Sequence, residues 1–226
     1  MKTSRFGVVG GVLAFAGIAT VSLSAQAEPP KAREGFQMAL RTGVALPFGD
    51  ADKSVSMSDI STAQVPLLID LGGKLGRNVF LGAYVGFAVG GASRGFLEDM
   101  CDQGNVSCAT VSVRLGAQVQ YHFMPAESLN PWLGYGIGVE SFGLGASRSG
   151  GQDRTVALGG FEFAHLMGGF DFRLGKVFGI GPFVDYSLGQ YGSATIKVGD
   201  TSREFDLGEK ALHHWLTLGV RGTFFP

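Results

Sequence analysis

The stretch that most limits what this chain can become is residues 110–123, Thr-Val-Ser-Val-Arg-Leu-Gly-Ala-Gln-Val-Gln-Tyr-His-Phe. Its odd positions (Val111, Val113, Leu115, Ala117, Val119, Tyr121, Phe123) are apolar, and its even positions are polar or glycine. Side chains on a strand alternate between faces, so a strand here has one wholly apolar face. The other face keeps Arg114 near its middle. At about 3.3 Å per residue the segment runs roughly 45 Å, more than twice the usual strand length. A long strand with a greasy face and a polar face is the unit from which a membrane-crossing barrel is built.

Seven further segments follow the same rule: residues 35–47, 63–75, 79–90, 131–146, 158–174, 177–190 and 212–225. Pro66 marks a bulge or an early position in its strand, because proline lacks the ladder donor. The alternation loses its phase around Phe161 and Phe163. Polar loops separate the first and second segments (48–61), the third and fourth (91–109), the fifth and sixth (147–156) and the seventh and eighth (191–211). The remaining connections are short. Within 191–211, residues 195–198 and 203–207 can lengthen a hairpin beyond a membrane. Together these features predict an all-β, eight-stranded antiparallel up-and-down transmembrane barrel. Short periplasmic turns, long external loops and both termini on the periplasmic side complete it.

Composition agrees. Charged residues are 16% of the chain, against about 25% in soluble domains. No stretch after the leader approaches the ~18 apolar residues of a spanning helix. A net charge of −1 without a basic run argues against a nucleic-acid partner. At the N-terminus, Lys2 and Arg5 precede an apolar run (residues 6–19) and the sequence Ala25-Gln26-Ala27, which reads as a cleaved signal peptide over 1–27. Residues 28–34 form a polar leader, and 35–226 the barrel. Export places Cys101 and Cys108 in an oxidising compartment, where a small-loop disulfide is expected. Neither cysteine has a His, Asp or Glu cluster at ligand spacing, so no metal is expected.

An eight-stranded barrel has an interior just wide enough for side chains to fill. The polar face supplies Gly82, Gly86, Gly134, Gly136, Gly138, Gly179 and Gly181, which leave room for Tyr84, Trp132, Phe183 and Trp215. It also supplies a charge network of Arg41, Asp70, Lys74, Arg114, Glu140, Asp171, Arg173, Asp185 and Arg221. Five cations and four anions nearly cancel. Unpaired charges in a narrow lumen are costly, so paired ladders that plug the barrel are expected. A charged channel would instead carry one dominant sign. Tyr121, Phe123, Phe178, Tyr186 and Phe224 are placed for interfacial aromatic girdles.

Residues 131–138, Pro-Trp-Leu-Gly-Tyr-Gly-Ile-Gly, and the closing residues 219–225, Gly-Val-Arg-Gly-Thr-Phe-Phe, resemble strands of the small outer-membrane barrels of the OmpA/OmpX-like group. The resemblance covers the chain beyond the leader, although Pro226 follows the final aromatic. It implies a bacterial outer-membrane location, contact with lipid and lipopolysaccharide, and recognition of the last strand by the outer-membrane assembly machinery.

Some small barrels are hydrolases, and this chain has four histidines: His122, His165, His213 and His214. A nucleophilic site needs a Ser–His pair with an orienting carboxylate, and no His-x-Ser sequence occurs. His165 faces Asp185 across the neighbouring strand and reads as a polar interior residue. His213 and His214 point to opposite faces and make no chelating pair. The expectation is a non-enzyme without cofactor. Its first functional reading is a structural or surface-interaction barrel with a packed polar lumen, meeting an external ligand through loops 91–109 and 191–211. The alternative is a conduit for small hydrophobic molecules or ions, similar to OmpW-type barrels. A secreted ligand-binding barrel with its apolar face inside would need a polar outer face, which the glycine-rich face does not supply.

Overall fold

Strands with one greasy and one polar face must curl until like faces meet, and here eight of them close a ring. The computed structural model describes residues 35–93, 106–148, 154–199 and 201–225. The elements in chain order are β1 (Gly35–Asp52), β2 (Val55–Ser56), α1 (Met57–Ile60), β3 (Ser61–Leu75), β4 (Val79–Ala92), β5 (Val106–His122), β6 (Leu129–Arg148), β7 (Arg154–Leu174), β8 (Phe178–Val198), β9 (Thr201–Asp206) and β10 (Leu212–Phe224). The antiparallel order β10-β1-β3-β4-β5-β6-β7-β8 is closed by pairing of β8 with β10. The strands match the eight expected segments but run longer at the end opposite the termini. β6 reaches Arg148, β7 starts at Arg154 and β8 continues to Val198. There β8 exchanges one neighbour for another. It pairs β10 up to Gln190↔Leu212 and β9 from Ser193↔Asp206 onward. The expected hairpin extension in 191–211 is thus present.

At the terminal end the chain turns tightly. Gly76 and Gly175, between β3 and β4 and between β7 and β8, adopt φ of +67° and +80°, a left-handed backbone that glycine alone enters without strain. Side-chain burial follows the pleat. Phe36, Leu40, Leu67, Val85, Val113, Leu133 and Leu218 are exposed on the outside, while Arg41, Asp70, Glu140, Asp185 and Arg221 are buried inside. Tyr84 shows how a ring fits in so narrow a space. A Cβ on Gly116, Gly136 or Gly138 would sit 2.4, 3.1 or 2.5 Å from its aromatic ring or hydroxyl.

The segment expected as a polar loop at 48–61 is different. Asp52 accepts hydrogen bonds from the backbone N–H and hydroxyl of Ser54, both 2.7 Å. This turns the chain back so that β2 pairs the end of β1. The single helical turn of α1 then drives Met57 and Ile60, three residues apart and therefore on one side, into the barrel mouth. Both are buried. The serines and aspartates concealed two apolar anchors.

Candidate functional site

The interior is a stack of layers. At the mouth, Met57 and Ile60 join Ala45, Ala51, Phe142, Leu144, Tyr191 and Trp215 in one apolar cluster. Beneath it lies Glu140 of β6. Its carboxylate accepts hydrogen bonds from the Tyr191 hydroxyl and the Trp215 indole N–H, each 3.0 Å, and stands 3.3 Å from His213 Nε2 and 3.5 Å from Arg114 Nε. The seal and the charge layer are therefore joined through the polar tips of Tyr191 and Trp215.

From Arg114 the network continues across the lumen. Its guanidinium lies 3.8 Å from Glu162, which also accepts hydrogen bonds from the hydroxyls of Tyr84 and Ser187. His165 stands between two carboxylates, with Nδ1 3.4 Å from Glu162 and Nε2 2.6 Å from Asp185. Arg41 then bridges Asp185 and Asp70 at 2.7 and 2.8 Å. The chain Glu140–Arg114–Glu162–His165–Asp185–Arg41–Asp70, with Tyr84 and His213 on its flanks, draws on all eight strands of the ring. The two terminal nitrogens of the Arg41 guanidinium each meet a carboxylate, which offsets the desolvation of the charges, while its Nε is buried without a partner.

The terminal end is filled differently. Arg221 donates to Gln120 at 2.8 Å, lies 3.6 Å from Asp171 and stacks 4.0 Å above the Trp132 ring. Trp132, Met167 and Phe183 form a second apolar cluster. Below them Phe225 is buried, with Lys74 and Arg173 at 5.3 and 5.9 Å from its ring. A cavity of about 20 Å³ remains beside Trp215, lined also by Leu68, Gly86 and Ser112. That is room for about one water.

Of the predicted charges, Arg41, Asp70, Arg114, Glu140 and Asp185 meet in one network. Asp171 and Arg221 form an ion pair of their own, joined to the network at Asp70 through the side-chain amides of Gln120 and Gln118, and Lys74 sits at the terminal end. Arg173 departs from expectation: it is half-buried at the rim, donating to the Pro125 carbonyl. Cys101 and the leader and signal segments lie outside the described residues; Cys108 is on β5, opposite Ala146. The sequence reading missed Glu162, Tyr191 and His213 as members of the network. Glu162 was hidden by a register shift in β7 between Glu162 and Ala164, which changes the phase of the alternation. The pair that betrays it is Phe161 and Phe163, both exposed on the outside. A strand that puts two aromatics outward must turn the glutamate between them inward. His213 and His214 do separate: His213 is buried, while His214 stacks outside on Tyr186 and meets its hydroxyl at 2.6 Å.

Among the described residues no group of three or more His, Cys, Asp and Glu is arranged to hold a metal. Ser187 pairs with His165 across β7 and β8, but its hydroxyl is directed to Glu162.

No protein-family model matches the chain, and no curated protein matches it in sequence. Solved structures do match. A major outer membrane protein from Thermus thermophilus superposes with a TM-score of 0.56 at 13% identity, covering 85% of this chain and 99% of its own. This is an outer-membrane β-barrel fold. Neisserial surface protein A aligns at 15% identity and TM-score 0.46 over 83% of this chain and 96% of its own. OprG from Pseudomonas aeruginosa aligns at 13% and 0.47 over 86% and 98%. In such a barrel the apolar outer band faces lipid and the tight turns lie on the periplasmic side. Phe36, Tyr121, Phe123, Phe172, Phe178 and Phe224 then form one girdle, at the terminal ends of their strands. Phe48, Phe161, Phe163 and Tyr186 stand nearer the opposite rim.

Proposed function

We propose that this chain is an outer-membrane barrel with a sealed lumen, whose work is done by the folded part that rises outside the membrane. The observation that carries this reading is the filled interior: an apolar seal at the mouth, a charge network beneath it and an aromatic floor. Conduction needs a continuous path wider than a water molecule. Met57, Tyr191, Trp215, Arg114 and Arg41 stand across that path, each at most 9% exposed. Carboxylates alternate with Arg114, His165 and Arg41 along the network, whereas an ion pathway favours one uninterrupted sign. The conduit reading would require both the apolar seal and several ion pairs to move together.

The same reading includes export through a cleaved signal peptide at 1–27, residence in the bacterial outer membrane beside lipid and lipopolysaccharide, and delivery to the assembly machinery through β10. A Cys101–Cys108 disulfide would tie the connection before β5 to that strand. No catalytic role follows from the buried histidines, which no substrate can reach. The refolded protein in a planar bilayer should insert and show no steady single-channel conductance. Reproducible conductance would overturn the sealed lumen and make the conduit the leading function.

A further inference from the structure

The wall of this barrel reverses its polarity above the lipid-facing band. On β8 the outward residues are apolar up to Leu188; above it come Gln190, Ser193, Thr195 and Lys197. The inward residues change in the opposite sense, from Asp185 and Ser187 to Ala194, Ile196 and Val198. The cause is one inserted residue. The pairing of β7 and β8 passes from Gly160↔Tyr191 to Gly159↔Ser193, so Gly192 is a bulge and the parity of β8 flips there. Lipid requires an apolar outside and water a polar one, so the flip marks where the wall leaves the membrane.

Directly paired residues share a face. Val156, Ile196 and Arg203 pair across β7, β8 and β9, as do Arg154 and Val198, and Ala194 and Phe205. This is the face on which Ala194 is buried. On β6 this face is covered, with Leu144 and Ala146 buried opposite Val156 and Arg154, but on β8 and β9 it is open: Ile196, Val198 and Phe205 are 42%, 37% and 45% exposed, although none of them faces lipid. Arg154 and Arg203 are exposed on the same face and have no carboxylate partner among the described residues. The acids of β9, Glu204 and Asp206, point to the other side. Two strand spacings and one pleat separate the arginines, about 12 Å at the backbone, so both guanidinium forks can converge on one anion.

We propose that this shelf is a binding site for an amphipathic anion, an alkyl or aryl body carrying a carboxylate, sulfate or phosphate, taken from the outer medium. The body lies along Val156, Ile196, Val198 and Phe205, and the acid group is held by Arg154 and Arg203. Apolar surface kept in water without lipid to cover it gains by burial, and charge-assisted bonds from two arginines orient the ligand. The site rests on the sealed-lumen reading in one respect, that the ligand stops at the shelf and does not pass through.

The test uses the full barrel in nanodiscs of neutral phosphatidylcholine, titrated with dansyl-labelled undecanoate and compared with empty nanodiscs. Saturable binding above the empty discs is expected, with the matched uncharged dansyl-undecanol bound more weakly. The double variant Arg154→Gln, Arg203→Gln should lose about tenfold in affinity for the acid and bind the two probes alike. Phe205→Ser should weaken both. Should Phe205→Ser fail to fold, the arginine variant, altered only at exposed side chains, still decides. No binding above the discs, equal affinity for the two probes, or an unchanged arginine variant would overturn the site. So would binding that appears only after deletion of residues 94–100, which would make the chain its own occupant. Loss of binding in nanodiscs containing phosphatidylglycerol would reassign the shelf to bilayer lipid. Conductance is read separately: a conducting barrel that binds the probe sinks the sealed lumen alone, and a silent barrel that ignores it sinks the shelf alone.

Discussion

Glu162 shows how much one buried residue holds. It accepts bonds from Tyr84 and Ser187 and lies between Arg114 and His165, so its loss strips partners from four strands. Glu162→Leu should cost about 3–5 kcal/mol, the range for breaking a buried ion pair from one side, measured by urea unfolding in phospholipid vesicles. A cost below about 1 kcal/mol would mean that water already solvates the network. On the outer wall Val113 is 44% exposed at mid-strand. Val113→Arg should destabilise the inserted barrel by about 2–4 kcal/mol; an unchanged midpoint would show that this face does not meet lipid. Arg41, Asp70, Arg114, Glu140 and Asp185 were legible in the sequence because they fall on unbroken alternation. Glu162 was not, because the alternation loses its phase at Phe161 and Phe163, and only the pairing with neighbouring strands shows where the inserted residue lies.

At the scale of elements, eight strands and their order of short and long connections could be read from period and turn residues alone. The mouth could not. Residues 48–61 have the composition of a solvent loop, and the burial of Met57 and Ile60 depends on what stands across from them, namely Phe142, Tyr191 and Trp215. Only tertiary contact supplies that. The helical turn is held by these two anchors and by the short β1–β2 pairing, so it should open without the barrel. Met57→Ser with Ile60→Ser, each removing a buried apolar side chain worth roughly 2–3 kcal/mol, should bring the amides of residues 55–60 into fast hydrogen exchange. Amides of β5 and β6 below the mouth should stay protected. Exchange that remained slow at 55–60 would place the hold on this segment in its backbone pairing and not in the apolar anchors.

At the scale of the molecule, the two tryptophans report on opposite ends of one polar structure. Trp215 is bonded to Glu140 under the seal, and Trp132 lies beneath Arg221 near the floor. Between them the network reaches every strand of the ring, and each strand is bonded to a neighbour on both sides. A local opening at either end would leave charges without partners in a space that excludes water, which is costly in proportion to the number orphaned. Separate unfolding of the two ends is therefore disfavoured. The part of the wall above Gly192 lies outside this network, carries exposed backbone and has β9 paired only to β8 among the described strands, so it should open first. Trp132→Phe and Trp215→Phe variants each leave one reporter, and within each variant the remaining fluorescence and the far-ultraviolet circular dichroism should give coincident midpoints and slopes in vesicles. A fluorophore attached at Ser202, on the outer face of β9, should report an earlier transition. A tryptophan midpoint displaced from that of the circular dichroism within either variant would mean that the seal and the floor are independent units and that the charges between them do not act as one structure.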